Sequence, residues 1–137
     1  MSEPVQTRWA TLSWLGPNEI KIDFTPGIML DAAAIAEVIG ARKRMQGDRS
    51  VGLMLIVPAE TELDLAIVGM DHLKVNQATD NLVGFAVVAR SSIAEVLLRL
   101  NKAYFPTPFA AEIFTCDQEA RKWLGEQVAQ ALRPLVG

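Results

Sequence analysis

The chain has 137 residues, half of them hydrophobic, with 13 Lys and Arg against 16 Asp and Glu for a formal charge of −3, and one each of Cys and His. This length makes a single domain, 1–137, with one substantial core, and the mixed charges give no sustained positive field for nucleic acid or anionic lipid. A lone cysteine excludes an internal disulfide, and one Cys with one His excludes a Cys/His zinc site.

The opening residues MSEPVQTRWA lack the basic-then-apolar pattern of a signal peptide, and no apolar run approaches the roughly 18 residues needed for a membrane span. The expectation is a cytoplasmic protein. Residues 8–14 alternate, with Ala10, Leu12 and Trp14 on one side, and a turn at 15–18 separates them from EIKIDF, in which Ile20, Ile22 and Phe24 alternate with Glu19, Lys21 and Asp23. These two segments predict an antiparallel hairpin with one wet face.

Thr25-Pro26-Gly27 breaks the pattern and Asp31 can cap a helix. Ile35, Val38, Ile39 and Met45 fall at helical spacing, Arg42-Lys43-Arg44 complements the last turn, and Gly47 closes it. VGLMLIV, residues 51–57, is apolar on both faces and reads as a central strand covered on both sides. A short helix over 64–75 is weakened by Gly69, and residues 82–89 form a second buried strand.

Ser92 with Glu95 predicts a capping box, and Ile93, Val96, Leu97, Leu100 and Tyr104 one helical stripe, with Leu98 lying off it. After the stiff connector at 105–108, residues 109–114 predict a fifth strand. Thr115 with Gln118 predicts another capping box, and Ala120, Trp123, Leu124, Val128, Ala131, Leu132 and Leu135 the docking stripe of the last helix. The fold class is α/β: a single-layer mixed sheet of about five strands, an N-terminal antiparallel hairpin followed by parallel crossovers, with helices mainly on one face. The other face then lacks a covering helix. Together with a mean hydropathy of +0.21, that implies a homodimer, a partner protein or a lipid-like ligand.

The succession VGLMLIV, LVGFAVVARSSIAEVLLRLNKAYFPTP and EIFTCDQEARKWL resembles the bacterial STAS-like, SpoIIAA-like domains, most specifically at Phe114-Thr115, Glu119-Ala120 and Trp123-Leu124. The resemblance implies a non-enzymatic interaction, regulatory or ligand-sensing module, often dimeric, of the kind found in anti-sigma-factor antagonists. Those are switched by a phosphorylated serine beside an aspartate after a central strand. Here PAETELD follows Val57, and its one hydroxyl is Thr61. The resemblance also touches SEC14-type lipid-binding domains, so a small apolar ligand is the alternative reading.

Candidate contact or switch residues are Thr61, Glu62, Asp64, Asp71 and His72, within a surface spanning residues 60–71 and the adjoining helix start. Their carboxylates match no calcium-loop spacing, and the glycines at 47, 52, 69 and 84 form neither GxGxxG nor a P-loop. No metal, cofactor or catalytic residue is expected. Cys116 reads as a bland residue of a helix's first turn, since a thiol nucleophile needs a base and His72 lies in an unrelated segment.

Overall fold

The computed structural model describes residues 3–133. Strands β1 (Val5–Gln6), β2 (Ala10–Gly16) and β3 (Glu19–Phe24) pair antiparallel, and β5 (Val51–Val57), β7 (Leu82–Ala89) and β8 (Ala111–Phe114) extend the sheet parallel to β3. The hairpin buries Leu12, Ile20, Ile22 and Phe24. Its alternate positions carry the Lys21–Asp23 ion pair, 3.4 Å apart, on the wet face. Two further short strands, β4 (Met29–Leu30) and β6 (Glu62–Leu63), form a separate parallel pair beside the sheet.

From β3 to β8 the strand order advances in one direction, so right-handed crossovers keep every connection on the same face. That face carries α1 (Ala32–Gln46), a 3-10 turn (Leu65–Gly69) with α2 (His72–Val75), and α3 (Ser92–Tyr104). Asp31 caps α1 by accepting from Ala34 N at 2.8 Å, and Gly47 ends it at φ +60°. The helix expected over 64–75 is broken into two short pieces at Gly69–Asp71, each capped by its own aspartate.

The last helix, α4 (Asp117–Ala131), has no further strand to reach and folds onto the opposite face. There Ala120, Leu124 and Val128 pack on Met54, Ile56, Ala86 and Val88. This corrects the expectation that nothing in the chain covers that face. Gly52 and Gly84 are register partners on β5 and β7. A Cβ at position 52 would lie 2.7 Å from Val128 Cγ2 and 2.8 Å from Leu124 Cδ1, so the paired glycines form the groove into which α4 settles. The reason given for a dimer across the sheet therefore falls away.

Both expected capping boxes shift by one residue. The cap of α3 is Ser91, whose Oγ accepts from Ala94 N at 3.1 Å. The cap of α4 is Cys116, which makes no side-chain capping bond; Asp117 and Glu119 in the first turn complement the helix dipole instead. Along α4, Ala131 and Leu132 are exposed, and Leu135 lies outside the described residues.

Candidate functional site

The two short pieces between β5 and β7 are too small to fill the space between α1 and α3. Beneath them lies a partly open cavity of about 180 Å³. Its floor is the sheet, with Leu55 and Val57 from β5 and Phe85 and Val87 from β7; Ile35 and Ile39 of α1 form one wall and Leu97 and Leu98 of α3 the other. Ile67, Val68 and Leu73 roof it. Its polar lining residues are Asp71, His72, Asn101, Lys102, Thr107 and Glu112, among a lining that is otherwise apolar.

Hydrogen bonds hold the roof in place. Asn101 Nδ2 on α3 lies 3.2, 2.9 and 2.9 Å from the carbonyls of Ile67, Val68 and Met70 at the end of the 3-10 turn, where the helical hydrogen bonds run out. His72 Nε2 donates to Ile67 O at 2.8 Å. That bond places a proton on Nε2, while Nδ1 is buried without a partner. On the α1 side, Arg42 donates to Gln46 Oε1 at 2.7 Å and to Ala78 O at 2.9 Å, and Lys43 Nζ reaches Asn76 O at 3.3 Å. Arg42 is only 2% exposed, and desolvation lowers its guanidinium to about 10, so it remains a cation at neutral pH. It is a buried tie to the end of the roof segment, in addition to a cation in the last helical turn.

The five sequence candidates take different positions. His72 and Asp71 reach the cavity fringe, and Asp71 also caps α2 through Lys74 N at 3.1 Å. Asp64 caps the 3-10 turn through Ala66 N at 3.0 Å. Glu62 is exposed on β6. Thr61 is buried, with no partner for its Oγ1. The structure thus joins Asp71 and His72 in one place and spreads the other three along the segment before it.

Sequence reading placed Leu98 off the stripe of α3 but missed Asn101, which with Leu98 faces inward. Their separation by three on the side opposite the apolar stripe was the available signal. The stripe itself points outward: Ile93 is 74% exposed, Val96 57%, Leu100 43% and Tyr104 67%, while the buried residue of α3 is Ala94. Cys116 and His72 belong to opposite sides of the sheet, and no hydrogen bond joins them. Among the described residues no group of three or more His, Cys, Asp or Glu side chains is placed to hold a metal ion, and no helix is long and apolar enough to cross a membrane.

No known protein family and no curated protein matches the chain by sequence. By structure it is similar to an uncharacterised protein of the DUF3478 family from Shewanella loihica, described as having a SpoIIAA-like fold. The TM-score is 0.55 and the identity 14%, over 90% of this chain and 98% of that one. The fold is thus SpoIIAA-like, of the STAS type, across nearly the whole chain.

Proposed function

We propose that this chain is a non-catalytic, cytoplasmic regulatory module that binds a small apolar ligand beneath its 3-10 turn and α2, and presents the surface around residues 60–71 to a protein partner. The observation that carries the ligand reading is the cavity: about 180 Å³, lined mainly by apolar side chains of the floor, walls and roof. Apolar cavities of roughly 150 Å³ stay dry and accept a benzene-sized guest. The volume here suits one ring or a short alkyl chain, and the unpartnered His72 Nδ1 favours a guest that ends in a hydroxyl. The non-catalytic reading rests on the separation of Cys116 from His72, which leaves the thiol without that base. A switch by phosphate at Thr61 is disfavoured, because its hydroxyl is buried.

The test is calorimetric titration with benzyl alcohol, a ring carrying one hydroxyl. Saturable binding near one equivalent is expected, with a rise in melting temperature that follows ligand concentration. Leu98→Trp, which places an indole in the chamber, should abolish the heat while leaving the circular dichroism unchanged. Absence of saturable heat, or equal heat from the Trp variant, would overturn the reading.

A further inference from the structure

The polar residues that line the cavity gather at one end of it. Lining residues from β3, β5, β7 and α1 are all apolar, whereas every polar one belongs to α2 and its cap, to α3, to the connector after it or to β8. These pieces touch. Asn101 Nδ2 holds the carbonyls of Ile67 and Met70, His72 Nε2 shares that of Ile67, and Lys102 Nζ stands 3.7 Å from Glu112 Oε1. The side chains of Lys102 and Glu112 are 40% and 50% exposed, so this end meets solvent, while Phe24 on β3 is buried. A guest therefore lays its apolar body toward β3 and α1 and its head beside α3.

Donors and acceptors at the polar end are unequally used. His72 Nε2 donates to Ile67 O, the amide hydrogens of Asn101 go to carbonyls of the roof, and Thr107 Oγ1 gives its one hydrogen to Phe109 O at 2.6 Å. What remains on Asn101 and Thr107 is acceptor capacity alone. Asp71 accepts from Lys74 N through Oδ1, and among the described residues no donor meets its Oδ2. The donor not spent on a hydrogen bond within the cavity lining is the Lys102 ammonium, which Glu112 partly neutralises. Two carboxylates, Asp71 and Glu112, thus stand against one ammonium, and the formal balance is negative. A lining of this kind takes hydrogen bonds and offers few. It discriminates against a carboxylate head, which would have to reach Lys102 past two like charges.

Granting that the cavity holds a ligand, we propose that its guest is a primary amine on a small apolar body, a ring or short alkyl chain, with the ammonium beside Asp71 and the body on the apolar floor. An ammonium carries three donors and no acceptor, which matches what the chain leaves open at that end. In the apolar part of the cavity an unpaired cation would be prohibitive. At the polar end it keeps part of its water, beside the half-exposed Lys102 and Glu112, and gains a carboxylate whose second oxygen has no partner.

Calorimetric titration with benzylamine, benzyl alcohol and phenylacetate, which share one benzyl body, tests it. Benzylamine should bind about tenfold tighter than the alcohol, between the worth of an exposed ion pair and that of a buried charged hydrogen bond, and phenylacetate should give no saturable heat. Asp71→Asn keeps an oxygen to cap α2 but removes the charge, so it should weaken benzylamine about tenfold and the alcohol far less. Lys102→Gln should act in the opposite direction, tightening benzylamine by up to about fivefold. Alcohol binding with no preference for the amine, saturable binding of phenylacetate, or an Asp71→Asn variant that weakens amine and alcohol alike would overturn the amine assignment and leave the cavity a ligand site. Absence of binding by all three guests would overturn it together with the ligand reading.

Discussion

Thr61 holds a buried hydroxyl with no hydrogen-bond partner, one residue before β6 pairs with β4. An unpaired buried hydroxyl costs free energy that a methyl of the same shape does not, so Thr61→Val should stabilise the protein by about 1 kcal/mol in urea denaturation. Thr61→Glu should destabilise it by more than that, because a carboxylate would be forced into the same enclosure. An unchanged midpoint in the valine variant would mean the hydroxyl is solvated. The sequence showed that Thr61 is the one hydroxyl after the central strand, but not that it is buried. Burial depends on the pairing of Met29 with Glu62, far apart along the chain. Arg42 shows the same boundary from the other side. Arg42, Lys43 and Arg44 look alike as a run of cations, yet only Arg42 shares a helix face with Val38 and Gln46 and is buried with them. That face could be read from the four-residue spacing, whereas its carbonyl partner at Ala78 could not.

At the scale of elements, β5 and β7 were readable to the residue because continuous apolar runs bounded by Pro58 and Arg90 leave little freedom. Glycines within them carry little signal of their own. Their purpose appears only when Gly52 and Gly84 align as neighbours under α4. Gly52→Ala should overpack that contact and cost about 1–3 kcal/mol. Leu124→Ala alone should also destabilise, by creating a cavity, but combining it with Gly52→Ala should return part of the loss, a non-additivity that a double-mutant cycle measures. Strict additivity would show that α4 does not rest in the glycine groove. Helix α3 gives the complementary lesson. Its apolar periodicity was legible, but periodicity gives a face and cannot say whether the core or another surface receives it. Polar Asn101 suits its inward position because the carbonyls of Ile67, Val68 and Met70, at the end of the 3-10 turn, lie beside its amide nitrogen.

Across the whole molecule, stability is unevenly distributed by topology. The hairpin and the parallel strands form a continuous hydrogen-bonded sheet with apolar layers on both faces of β5 and β7. The roof over the cavity consists of two helical pieces of five and four residues, each too short to be stable alone. It is held by side chains, chiefly Asn101 from α3 and Arg42 and Lys43 from α1. Local opening should therefore cost much less than global unfolding. In native-state hydrogen exchange, amides of residues 65–76 should exchange first, with little dependence on denaturant, while those of β5 and β7 exchange only through global unfolding. Asn101→Ala should accelerate the roof amides specifically, leaving the strands unchanged apart from any loss of global stability. Benzyl alcohol should slow the same roof amides if it sits beneath them, because a bound guest must leave or be exposed before the roof opens. Equal protection of roof and strands would instead make the domain one cooperative unit, with access to the chamber requiring the whole fold to open.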